Sequence, residues 1–158
     1  MLHVLLAAAI HAEQPALPAP QVQLYAKTIA SESQKRHLDP WVFWALVRTE
    51  SRFQSGVVHQ EKNGDCSVGL TQIKVTNCDQ ARVAVLLDPV TNLRTSAVIQ
   101  QKQREWCTVH ACPNGWLYLY NPSKEYVRTV LRLAKETRRA HPEPDLRTSR
   151  GPLRPSRV

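Results

Sequence analysis

The sequence predicts a mainly α-helical domain broken by one irregular excursion. Three observations carry this. Asp39-Pro40, Asp88-Pro89 and Asn121-Pro122 each couple a capping oxygen to a proline whose fixed φ suits a first helical turn. Apolar residues after these pairs return every three to four positions, the spacing of one buried helix face. Strand signals are weak: no alternating run of β-branched residues appears, and no Asn-Gly turn lies between apolar runs. With 158 residues, 42% hydrophobic and 22% charged, one folded domain is expected and a wholly disordered chain is excluded. No apolar run approaches the ~18–20 residues of a membrane-spanning helix. Neither common glycine-rich phosphate loop occurs.

Residues 1–12 are apolar from Val4 to Ile10 and end in Ala12. The pattern resembles the core and small-residue cleavage site of a secretory signal, with a frayed terminal helix as the alternative. Pro15, Pro18 and Pro20 then predict a stiff, non-helical leader, so residues 1–20 are set apart from a folded domain over 21–140. Val22, Tyr25, Ala26, Ile29 and Ser33 predict a first helix over about 21–37. Asp39-Pro40 opens a second through Glu50. Its Trp41–Val47 run is apolar nearly all round, which places it mid-domain. Residues 54–68 are polar with a Gly64-Asp65 turn and predict a loop or small irregular hairpin. Asp88-Pro89 starts a third helix to about Trp106, and Asn121-Pro122 a fourth through Tyr126, Val127, Val130, Leu131 and Leu133. Residues 141–158, rich in proline and arginine, predict a disordered basic tail.

A formal charge of +8 admits a polyanionic partner, either nucleic acid or an acidic polymer. Positive charge reads as scattered instead of striped along one helix, and the second helix is too apolar for a groove. Both count against a DNA-binding module, and no nucleic-acid partner is expected. The four cysteines, Cys66, Cys78, Cys107 and Cys112, suit disulfides in an exported chain. Sequence proximity suggests Cys66–Cys78 and Cys107–Cys112 among the three pairings. Zinc, with His59 or His110 as further ligands, is the rival; neither cysteine pair has knuckle spacing, and no metal is expected.

Glu50 closes the apolar helix and precedes Ser51, Arg52 and Phe53. Burial among Leu46, Val47 and Phe53 and the carbonyl dipoles of a helix C-terminus both favour its protonated form. Arg48 and Arg52 are the cations that would oppose this by pairing. A carboxyl group kept neutral is what acid-catalysed cleavage of a glycosidic bond requires, although most helix-terminal glutamates are solvated or ion-paired.

Downstream of Glu-Ser-Arg-Phe at 50–53 come Gly-Leu-Thr-Gln-Ile at 69–73, Leu-Asp-Pro-Val-Thr-Asn-Leu at 87–93 and Tyr-Asn at 120–121. In this order and spacing the chain resembles the catalytic domain of soluble lytic transglycosylases, lysozyme-like enzymes that cut bacterial peptidoglycan, over about residues 22–136. The resemblance implies a lysozyme-like helical domain, periplasmic or secreted, acting as a monomer on glycan strands without any cofactor. Its compact size and basic tail also look like members that accompany conjugation and secretion systems.

By the same resemblance Glu50 is the sole catalytic acid and base. Ser51 orients it or meets the sugar's acetamido group, and Gln72 lines the glycan groove. Gly69 lets backbone approach the sugar, with a simple turn as the alternative. Tyr120 reaches toward Glu50, and Asn121 bonds substrate. Asp88 and Asn92 read as a helix cap and a structural polar group; Trp41, Trp44 and Trp106 read as core. Two positions depart from the family pattern. Pro122-Ser123-Lys124-Glu125 stands where a glycine-rich stretch usually follows Tyr-Asn, and Thr71 stands for the family's methionine. A hydrolytic lysozyme would need a second carboxylate, for which Asp65 and Glu61 are the candidates. A catalytically inactive wall-binding scaffold is the remaining alternative.

Overall fold

The computed structural model describes residues 1–143; most of the expected tail, from residue 144 on, lies outside the described residues. Among the described residues seven α-helices accompany a three-stranded antiparallel sheet, a mainly α, lysozyme-like architecture. In chain order they are α1 (Leu2–Glu13), α2 (Ala19–Arg36), α3 (Pro40–Ser51), β1 (Val58–Gln60), β2 (Cys66–Val68), β3 (Ile73–Val75), α4 (Gln80–Leu86), α5 (Pro89–Val109), α6 (Leu117–Tyr120) and α7 (Lys124–Ala140). The sheet order is β1-β2-β3, with Val68 opposite both Val58 and Ile73.

Two of the three expected proline caps act as the sequence suggests. Asp39 accepts from the Trp41 and Val42 amides, and Asp88 from Thr91. At the third the helix starts later: Ser123, not Asn121, is the cap, accepting from the Tyr126 amide at 3.2 Å. Asp79 caps the short α4 through Arg82. The prolines before Gln21 also differ from expectation. Pro20 sits in the first turn of α2, where its missing N–H breaks no helical bond.

Residues 1–12 form most of α1, which lies against α2 and buries Leu6, Ala7, Ala9 and Ile10 in the main core. Glu13, at its end, pairs with Arg48 of α3 at 3.0 Å. That core also contains Tyr25, Ile29, Phe43, Trp44, Leu46, Phe53, Leu70, Leu93 and Val130. A second, smaller core of Val68, Ile73, Val75, Val83 and Leu86 lies beneath the sheet. There the Cys66–Cys78 disulfide ties β2 to the turn after β3. Cys107 pairs with Cys112 beyond the middle of α5.

Trp41 and Trp44 are core residues. Trp106 is not: it is 54% exposed and stacks on His110, ring centroids 3.6 Å apart. Arg104 meets the carbonyl of His37, just past the end of α2, and Trp106 lies beyond that contact.

Candidate active site

Glu50 lies in the last turn of α3. After Ser51 the chain leaves the helix through Arg52 and Phe53, both left-handed at φ 51° and 63°. This conformation is unfavourable for residues with side chains. Burial of Phe53 against Trp44, with ring centroids 5.6 Å apart, offsets that cost and fixes where the helix ends. The Glu50 carboxyl is half-buried. Burial raises its pKa above the ordinary glutamate value, and a hydrogen bond from Tyr126 opposes the rise without cancelling it. Neither arginine neighbour neutralises it. Arg48 pairs with Glu13 instead, and among the described residues no cation forms an ion pair with Glu50.

Tyr126 donates its hydroxyl to Glu50 Oε1 at 2.6 Å. Burial and the adjacent carboxylate push this phenol far above the usual tyrosine range, so it remains a donor. The expectation placed Tyr120 in this position. Tyr120 instead donates to the Thr71 carbonyl at 2.7 Å and meets Ser96 Oγ at 3.2 Å. Gln100 Nε2 in turn donates to Ser96 Oγ. Sequence reasoning read Tyr126 only as part of the apolar face of its helix. A phenol drawn out of water needs an acceptor, but nothing in the spacing says that Glu50 of α3 supplies it.

The Gly69–Gln72 segment is clamped from both sides. Ser51, only 7% exposed, donates to the Leu70 carbonyl at 2.8 Å, so its hydroxyl joins α3 to this segment. On the other side, fully buried Asn92 accepts from the Thr71 amide and hydroxyl at 3.0 and 2.7 Å. Its own amide donates to the carbonyls of Val68 and Leu86. The methionine-to-threonine departure thus supplies a hydroxyl that Asn92 accepts. Gly69 has φ 74°, and a Cβ there would fall 2.3 Å from Asn92 Nδ2. The close approach it permits is therefore to Asn92.

Gln72 has φ 49° and donates to the Gly69 carbonyl at 2.9 Å. Asn121 follows Tyr120 and is half-buried; its side chain bonds none of the described residues. Asp65 and Glu61 are engaged within the hairpin. Asp65 accepts from the Asn77 amide and from Asn63 and meets Lys74 Nζ at 3.0 Å. These donors hold its pKa down. Glu61 accepts from Ser67 at 3.1 Å and lies 3.5 Å from Lys74. All four cysteines are in disulfides, which removes the thiolates a zinc site would use.

A helical domain with a raised-pKa carboxyl at the end of its buried helix, whose neighbour Ser51 bonds a clamped Gly-Leu-Thr-Gln segment, has the kind of group that acid cleavage of a glycosidic bond uses. The chain matches the transglycosylase SLT domain over residues 27–138, well over half its length, and belongs to that family. Its function is accordingly of the lytic transglycosylase type, directed at peptidoglycan. No curated protein and no solved structure gives a significant match.

Proposed function

We propose that this protein cleaves the β-1,4 bond between N-acetylmuramic acid and N-acetylglucosamine without consuming water. Protonated Glu50 gives its proton to the glycosidic oxygen as the bond to the anomeric carbon breaks. The muramic acid's acetamido carbonyl supports the positive charge at that carbon. Deprotonated Glu50 then accepts the proton of the same sugar's C-6 hydroxyl, whose oxygen closes onto the anomeric carbon. A 1,6-anhydro end results and Glu50 is protonated again, so one residue serves as acid and then base.

The single observation that carries this reading is the isolation of Glu50: raised by burial, held by an uncharged phenol, and unpaired with any cation among the described residues. Hydrolysis has less support, because Asp65 and Glu61 are committed to Lys74 and to the hairpin. Two disulfides and a wall substrate support work outside the cytoplasm, in the periplasm or after secretion. The resemblance to members that serve conjugation and secretion supports wall remodelling for such an apparatus. Mass spectrometry of digested peptidoglycan tests the chemistry. Anhydro ends from wild type and none from Glu50→Gln are expected; reducing, hydrated ends would establish hydrolysis instead.

A further inference from the structure

The outer face of α7 is not scattered in charge. The helix carries six basic and two acidic residues, so its net charge is half of the chain's +8. At about 100° per residue, Lys124, Arg128, Arg132, Lys135 and Arg139 share an arc of about 80° running about 22 Å along the axis. All five are exposed. Arg132 is paired with Glu136 at 2.9 Å. Lys124, Arg128, Lys135 and Arg139 have no acidic partner among the described residues.

Helix energetics accounts for only part of this stripe. Arg139 in the last turn complements the helix dipole, but Lys124 in the first turn opposes it. Lys124–Arg128, Arg128–Arg132 and Lys135–Arg139 are all like-charge pairs four residues apart, an arrangement that destabilises a helix. The stripe faces away from the side of α7 that carries Tyr126, which at the same 100° per residue falls about 160° from the stripe's centre. At its N-terminal end Lys124 and Arg128, with Asn114 and Val127, line a surface cavity of about 340 Å³. Two cations, an amide and an aliphatic side chain suit a carboxylate next to a small alkyl group.

Resting on the reading of this chain as a peptidoglycan-cleaving enzyme, we propose that the α7 stripe and this cavity bind the carboxylates of the stem peptides carried by the glycan. Glycan stripped of its peptides keeps one lactyl carboxylate on each muramic acid, close to the sugar ring, whereas each stem peptide presents several carboxylates that reach further from the strand. The stripe therefore selects strands that still bear peptides, and its contribution weakens with salt as exposed charge pairs do.

The test uses the full chain carrying Glu50→Gln, so that sacculi survive a binding measurement. Intact sacculi are compared with glycan stripped of stem peptides by an amidase. We expect about tenfold tighter binding to intact sacculi, with the advantage lost near ~1 M salt. It should also be lost when Lys124→Gln, Arg128→Gln, Lys135→Gln and Arg139→Gln are combined. The fourfold variant should unfold at no lower denaturant concentration than wild type, which shows that it folds, since it loses like-charge pairs on an exposed helix face. A fourfold variant that keeps the preference for intact sacculi, or a wild type without one, overturns the proposal. So does a variant that loses affinity for anionic vesicles or duplex DNA while sacculus binding is unchanged. Hydrated products would count against the transglycosylase chemistry alone, whereas anhydro products without stem-peptide preference would overturn the stripe assignment alone.

Discussion

The Tyr126 hydroxyl and Glu50 Oε1, 2.6 Å apart, join the first turns of α7 to the last turn of α3. The bond has a direction. A phenol donating to a carboxylate stabilises the charged form, so Tyr126 works against the burial that raises the Glu50 pKa. Burial remains the larger of the two effects, so the carboxyl stays above the ordinary glutamate value.

Tyr126→Phe removes that opposition. The Glu50 pKa should rise further, because the donor that stabilises its charged form is gone. The first step needs protonated Glu50, so the fall in activity at high pH should shift upward. The rate below it should drop roughly 10- to 100-fold as the carboxyl loses its orientation. A pH–rate profile of muropeptide release checks this; an unchanged profile would show that Tyr126 only packs.

Tyr120→Phe should behave differently although the residues lie six positions apart. It deprives the Thr71 carbonyl and Ser96 of a partner, at a cost of about 1–3 kcal/mol of stability. It should leave the high-pH limb of activity in place. Denaturant titration beside the same pH–rate profile separates the two tyrosines.

Glu50→Gln should abolish turnover and also stabilise the fold near neutrality. Because the native pKa is raised, the folded protein holds more protons than the unfolded chain above the ordinary glutamate value. Wild-type stability therefore falls as pH rises through that window up to the raised pKa. Glutamine does not titrate, so the variant should gain relative to wild type at pH 7, with the gap closing toward about pH 4. Denaturation midpoints at several pH values check this. A gap that does not change with pH would place Glu50 in an ordinary solvated setting.

Parts of this arrangement were legible in the sequence because they rest on local chemistry. Asp39-Pro40 and Asp88-Pro89 fix a cap oxygen and a φ angle within two residues, and Trp41–Val47 has no polar side chain to turn outward. The strands were not legible, because three residues each are too few to show alternation. The exchange of roles between Tyr120 and Tyr126 depends on how α7 lies against α3, a tertiary fact invisible to spacing. The α7 stripe was missed for a related reason. Its basic residues are spread over sixteen positions and gather only once the helix is wound and its apolar side is buried.

The N-terminal segment gives the last prediction. Leu6 and Ile10 are both 0% exposed, and Glu13 reaches Arg48, one turn of helix before Ser51. In the full chain α1 is thus part of the packing that supports α2 and α3. Ile10→Ala should cost about 2–5 kcal/mol, the range for truncating a buried aliphatic side chain to alanine. A chain beginning after Ala12 should unfold at lower denaturant concentration still, because the faces of α2 and α3 beneath α1 become wet. Removal of this segment during export would leave the mature enzyme with that deficit. Denaturation of the full and shortened chains decides the matter: coincident midpoints would mean that α1 rests on the domain without stabilising it.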